Sequence, residues 1–326
     1  MLPVFRRSLY VFLLDALLLI CCLVGVYHVA QKPALSVQVS EEHNAPASHL
    51  TTPKGVILSL NNINIHTEEE LEFLLDGFSK QDSITICVLE NSNQKSISLP
   101  LVSYYHARYL IILLIVGGIF FFLGLFVFIK RPQSKAAIIF HWTSIFTAVI
   151  ITTTWWRYTI TPFGIGHFLR VLFSTAYAFV PVLFIHFTFL FPKSKLQNGR
   201  KFLFPLYFIA SMLSLGMSVT FLLAALQQSL EWFHTFLFFF NITRWFFVGC
   251  IIAVIFNYSF QKIMRKQTSI FVGKEKFRTQ RFRFPMNRRW YSSEKLMRIF
   301  IATIILNFIS VQQMILPKKN FLLAIP

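Results

Sequence analysis

Nine histidines are scattered along a chain of 326 residues, and none stands in the HExxH pattern that holds a catalytic zinc ion. His186 is followed by Phe187, and no acid lies nearby in sequence. No Gly-rich phosphate loop and no Ser–His–acid set stands out. No catalytic residue, metal ligand or cofactor is therefore assigned. What remains is a set of four ionisable side chains inside long apolar runs: Asp15, His141, His186 and Arg244. Such groups are expensive in a bilayer and often functional. The functional reading is an intramembrane polar cluster that detects a ligand or relays helix movement. The plainer reading is a set of interhelical hydrogen bonds, with long side chains snorkelling to water.

The elements that would carry these residues are membrane spans. The chain is 55% hydrophobic and only 13% charged, with 39 Phe residues. Several apolar runs reach about 20 residues, the length needed to cross a bilayer. They are Leu9–Ala30, Tyr109–Ile129, Ala136–Trp156, Phe168–Phe191, Phe202–Leu226 and Phe233–Phe260, with a seventh, doubtful run at Ile299–Leu316. The first is long for a cleaved signal peptide, and "VYHVAQ" is a poor cleavage site, so it reads as an anchor. Asp15 then falls about two turns into span one, His141 and His186 near the ends of spans three and four, and Arg244 deeper in span six. Pro181 is a position at which span four could break.

The net charge of +18 invites a nucleic-acid reading, which its distribution argues against. Arg6 and Arg7 precede span one. Lys130, Arg131 and Lys135 separate spans two and three, and Lys193, Lys195, Arg200 and Lys201 separate spans four and five. Lys262, Arg265 and Lys266 follow span six. The alternate loops hold only Arg157. This alternation is the positive-inside bias, and it places the N-terminus in the cytoplasm and residues 31–107 outside it. Trp155, Trp156 and Trp232 then fall at outer interfaces, where indole rings favour the headgroup zone. The four cysteines, Cys21, Cys22, Cys87 and Cys250, have no metal or disulfide spacing and read as small hydrophobes.

Residues 31–107 have a different composition, with nine acids against four lysines. "VILSL" reads as a short buried strand, "NN" as a turn that exploits the tolerance of Asn for the left-handed region, and "INI" as a second strand. Thr67 and Glu70 fit a capping box. The helix that follows places Leu71, Leu74, Leu75 and Phe78 on one face. "SITICVLE" and "KSISLPLV" alternate as the arms of a hairpin about "NSNQ".

This order, strand–strand–helix–hairpin, resembles the second half of a bacterial PDZ-like domain. "PKGVILSLNNINIHTEEELEFLL" (Pro53–Leu75) matches that family's core, and "SITICVLENSNQKSISLPL" (Ser83–Leu101) its closing hairpin. The resemblance covers roughly residues 35–102. Val56 stands where the family usually has Asp, and Asn62 where it has Gly. The first half, "ALSVQVSEEHNAPASHLTTPKG", lacks the usual carboxylate-binding loop. An anchor, a PDZ-like module and a multi-span block together resemble the membrane input region of competence-type sensor histidine kinases, over about residues 1–265. "GGIFFFLGLFVFIKRPQSKAA" (Gly117–Ala137) looks like the start of that block, and "HFTFLFPKSK" (His186–Lys195) like a later helix end.

The kinase half that this resemblance would continue into, a phosphoacceptor His followed by ATP-binding boxes, is not found after Phe260. Residues 261–298 instead hold twelve bases and two acids, including "RFRFPMNRRWYSS". They read either as a basic segment at the membrane surface or as the altered end of a truncated gene.

The sequence thus predicts an α-helical polytopic membrane protein with a small extracytoplasmic α+β PDZ-like domain. Residues 1–30 would be the anchor, 31–107 the module, 108–260 a bundle of five helices, and 261–326 a basic cytoplasmic tail with the extra apolar run. The expected role is signal reception at a bacterial inner membrane, without enzyme activity. The expected partners are the lipid bilayer, an extracytoplasmic peptide or protein and a separate cytoplasmic signalling protein, and not nucleic acid. The competing readings are a membrane scaffold or transport-related protein, or the remnant of a sensor kinase.

Overall fold

A computed structural model of the chain describes residues 2–36, 40–42, 49–52, 55–79, 82–90, 93–154, 164–191 and 196–276. The run Ile299–Leu316, most of the basic tail, and Trp155, Trp156 and Arg157 lie outside the described residues. The element order is α1 (Leu2–Ala30), β1 (Pro33–Leu35), β2 (Ser40–Glu42), β3 (His49–Thr52), β4 (Gly55–Leu60), β5 (Ile63–Asn64), α2 (Glu68–Leu75), β6 (Ser83–Glu90) and β7 (Asn93–Ser103). Five helices follow: α3 (Ala107–Lys130), α4 (Lys135–Thr153), α5 (Ile165–Leu190), α6 (Leu196–Gln227) and α7 (Leu230–Lys276).

Six of these helices, α1 and α3 to α7, are long and apolar enough to cross a membrane. By length and composition the chain is a multi-pass membrane protein. Among the described residues, the six long apolar runs each fall on one such helix, because in lipid a backbone that bonds to itself is the only inexpensive one. The same argument explains why Pro181 does not break span four. It lies inside a continuous α5, as Pro205 lies inside α6. Helix α7 also runs past Phe260 to Lys276, so the boundary placed at residue 260 by hydropathy falls inside a helix. "QKIMRKQTSIFVGKEK" has no Pro, and its charged residues are good helix formers, so loss of hydropathy there is not loss of helix.

Helices α4 and α5 are central. Within their apolar windows 67% and 72% of residues are buried, against 28% in α1, α3 and α7. Small residues allow the close approaches. A Cβ on Gly124 of α3 would lie 2.8 Å from the Ser144 Cβ and 3.1 Å from the His141 carbonyl oxygen of α4. A Cβ on Gly25 of α1 would lie 2.9 Å from the Thr152 carbonyl oxygen. Packing through small residues is what holds helices together where lipid removes the hydrophobic drive. Helix α7 is held differently, by rings: Tyr177 of α5 stacks with Phe240 and Phe247 of α7 at 5.4 and 5.5 Å.

The residues between α1 and α3 form a small curled antiparallel sheet in the order β1-β7-β6-β4-β3-β2, with β5 paired to β4. The expected strand–strand–helix–hairpin order is present. Asn61 and Asn62 both have positive φ, 47° and 69°, and form the tight turn between β4 and β5. The Asn61 carboxamide oxygen also accepts from Thr85 N–H at 3.2 Å, which pins the turn to β6. In β6 every second residue is buried, and Ile84, Ile86 and Val88 are each 1% exposed. Leu71, Leu74 and Leu75 of α2 are buried, as are Ile57, Leu60 and Leu99 of the sheet. Phe78 is only half-buried, because α2 ends at Leu75 and Phe78 lies beyond its Asp76 cap.

Candidate functional site

Helix α2 positions the site. Thr67 and Glu70 form the capping box read from the sequence: the Thr67 hydroxyl accepts from Glu70 N–H at 3.2 Å, and the Glu70 carboxylate accepts from Thr67 N–H at 3.3 Å. The same oxygen accepts from His66 N–H at 2.7 Å. A lone helix on a sheet would bury only its leucine stripe. Here Glu70, Phe73 and Asp76, on another stripe, are buried as well. They are covered by the membrane helices.

Three contacts make this junction. The Phe73 ring stacks on Phe233 in the first turns of α7, with centroids 4.3 Å apart and planes 17° apart. The second Glu70 oxygen lies 2.9 Å from His234 Nε2. Lys32, where the chain leaves α1, is 4% exposed and sets its Nζ 3.0 Å from Glu72 Oε2 and 3.6 Å from Asp76 Oδ1. The Lys32 ammonium also lies over the Tyr104 ring at 5.2 Å, and the Tyr104 hydroxyl donates to Glu72 at 3.4 Å. Tyr104 then meets Tyr105 edge-on, and Tyr105 stacks on Tyr109 in the first turn of α3.

Behind Asp76 lies Arg170 of α5, buried, whose charge acts on the Asp76 carboxyl. Its guanidinium sits over three rings from three helices: Phe173 of α5 at 4.9 Å, Phe221 of α6 at 5.2 Å and Phe236 of α7 at 4.6 Å. A cation on ring faces is worth about 0.5–2 kcal/mol per contact. Arg170 thus joins α2 electrostatically to three membrane helices at once.

Burial pushes the Asp76 carboxyl up to about 7, against the pull of Lys32, and the Glu72 charge adds to the rise. Burial opposes the charge on Lys32 too, but Asp76 and Glu72 together outweigh it and hold the ammonium above the ordinary lysine range. The two directions are compatible because one cation serves two acids, and Glu72 has the nearer contact. The folded carboxyl of Asp76 therefore binds its proton more tightly than the unfolded one, whose ordinary value is about 3.9. This contribution to stability is full below about pH 4 and is lost as pH rises through about 7. Melts of the chain in detergent should show the midpoint falling between about pH 5 and about pH 8, with a smaller fall in Asp76→Asn. An equal fall in both would remove Asp76 as the cause.

The four residues marked in the sequence form no single cluster. Asp15 and His141 are brought together, with Oδ1 and Nε2 3.2 Å apart between α1 and α4, both buried. The angle is not that of a hydrogen bond, and neither side chain makes one among the described residues. Phe128 of α3 packs on the His141 ring at 4.9 Å. His186 instead pairs through Nδ1 with the Tyr207 hydroxyl of α6 at 2.9 Å. Arg244 donates to Asn241 on its own helix at 3.3 Å, an exposed bond. Hydropathy spacing places charges along a span but not around it, so residues on different helices cannot be grouped from the sequence.

The sequence reading missed the junction. Arg170 is an ionisable residue within an apolar run, and that is its one signal in the sequence. Phe73 lies off the leucine face of α2, where no pattern marks it. Lys32 and His234 carry no local pattern. Among the described residues no group of three or more potential ligands could hold a metal ion.

Fold and site together define a multi-pass helical membrane protein carrying a small sheet module, whose one helix is seated on the ends of the membrane helices. No family model, curated protein or solved structure matches the chain.

Proposed function

We propose that the chain is a membrane signal-reception protein: a PDZ-like input module, on the extracytoplasmic side of a bacterial inner membrane, coupled to a helical bundle and carrying no catalytic output of its own. It resembles in this the input region of competence-type sensor kinases, and it would pass its signal to a separate cytoplasmic partner. The observation that carries the reading is the seating of α2. Phe73 on Phe233 and Glu70 on His234 fasten the module's helix to α7, and Arg170 of α5 acts on Asp76 through its charge. A ligand that shifts α2 must then shift those helices or break these contacts, and that differential is what a signal requires.

A transport-related reading has one observation in its favour, the buried Asp15–His141 pair. The small residues between α1, α3 and α4 pack that region closely, which favours a fixed structural pair.

Orientation is tested by reporter fusions. Fusions at Gln94 and Gln228 should report the outside, and fusions at Ser134 and Gln197 the cytoplasm. A cytoplasmic signal at Gln94 would sink the architecture. Coupling is tested by amide exchange in nanodiscs. Phe73→Ala in the module should accelerate exchange at the first turns of α5 and α7, and an unchanged pattern there would remove the coupling role.

A further inference from the structure

The outward stripe of α2 has the features of a recognition site. Phe73 offers a flat ring. Glu70 offers one carboxylate oxygen, while the other is fixed by the His66 and Thr67 amides at 2.7 and 3.3 Å. Both side chains are buried, and both are used by one dipeptide of the same chain, Phe233–His234, by stacking at 4.3 Å and by an Nε2–carboxylate contact at 2.9 Å. His234 is nevertheless 54% exposed while Glu70 is 3% exposed, so the imidazole covers the carboxylate and is itself reachable from outside the fold. The dipeptide enters through a tight connection, since α6 ends at Gln227 and Gln228 has a positive φ of 51°.

We propose that this face of α2 is a binding site for peptide segments carrying an aromatic side chain next to a basic or imidazole one, and that Phe233–His234 occupies it in cis as a built-in competitor. The proposal rests on the module being the receiving part of the chain. It adds the class of ligand and the way the ligand acts, by displacing the first turns of α7 from α2.

The chemistry of the occupant fixes the chemistry of the ligand. A ring stacked at this distance requires a planar apolar group. A preorganised carboxylate prefers a donor that can carry charge. The cis occupant also sets the scale. A tethered competitor acts at an effective concentration on the order of millimolar. An outside ligand therefore binds the unmodified chain far more weakly than the same site once vacated, and responds only to abundant or locally concentrated partners.

The test uses the full chain in nanodiscs and a fluorescein-labelled synthetic peptide of residues 229–237. A second peptide, with Ala at the Phe233 and His234 positions, is the control. The doubly substituted chain Phe233→Ala/His234→Ala should bind the first peptide at least about tenfold more tightly than the unmodified chain does, given millimolar competition. It should discriminate against the control peptide, and Glu70→Gln added to it should reduce that discrimination to what the Phe73 stack alone provides. Equal binding of both peptides, or no gain over the unmodified chain, overturns the proposal. Should the substituted chain fail to fold, the unmodified chain decides. Several millimolar of the first peptide, and not of the control, should accelerate amide exchange at 231–235, and unchanged exchange overturns the proposal. Neither measurement depends on which side of the membrane the module faces, so failure here is separable from failure of the reporter fusions.

Discussion

Leu74→Asp should abolish the cooperative unfolding of the sheet module. Leu74 is 1% exposed, and Leu71, Leu75, Ile84 and Ile86 of the same module are buried as well. Aspartate there would be a buried charge without a partner, which costs several kcal/mol after relaxation. Protonation would relieve the charge but leave a polar group in a site shaped for leucine, still about 1–3 kcal/mol. A module of this size has little stability to lose, since folded domains are held by about 0.05–0.15 kcal/mol per residue. Amide exchange along β6 is the measurement. In the unmodified chain Ile84, Ile86 and Val88 should be the slowest positions of the module, and in Leu74→Asp they should exchange like an unfolded chain. Leu74→Met is the control, because a swap that nearly conserves volume usually costs under about 1.5 kcal/mol. Protection of β6 that survives Leu74→Asp would mean that α2 does not close this core.

The module was legible in the sequence because its signals are local. The Asn61–Asn62 turn, the Thr67–Glu70 box and the alternation of β6 each occupy a few consecutive residues, and each has one structural solution. The spans were legible because length and hydropathy alone define them. The junction was not, because it is made between elements. Phe73 is an unremarked aromatic in "EEELEFLL" until Phe233, 160 positions later in the chain, stacks on it. Lys32 reads as a solvated base following a span, and only the return of Glu72, Asp76 and Tyr104 to that point buries it. Arg170 reads as a lapse in an apolar run, but its guanidinium lies over rings of three helices. Asp15 and His141 stand out individually, but their pairing needs α1 and α4 side by side, an approach that Gly25 makes against Thr152 and that hydropathy does not record.

Lys32→Met should destabilise the junction more than the loss of any other charge in it. At about pH 8 the Asp76 carboxyl is ionised in the unmodified chain, because its value of about 7 lies below that pH. Removing the ammonium takes away the cation that serves both carboxyls at a largely buried site, and breaking a buried pair in this way costs about 3–5 kcal/mol. The lower end is expected here. Arg170 still acts on Asp76, the Tyr104 hydroxyl still donates to Glu72, and the Glu72 side chain keeps 30% exposure to water. Asp76→Asn placed in the Lys32→Met chain should therefore restore part of the loss, and should help more there than in the unmodified chain, where Lys32 offsets part of the Asp76 charge. That difference is the signature of charge compensation, which lost packing of the lysine stem would not produce. Lowering the pH to about 5 should rescue Lys32→Met by the same route, since protonating Asp76 does what the amide does. Melting measured by exchange at β6 and at the first turn of α5 gives both numbers. A Lys32→Met chain that melts like its parent at pH 8, or one made worse by Asp76→Asn, would show that α1 and α2 are joined by packing and not by this cation.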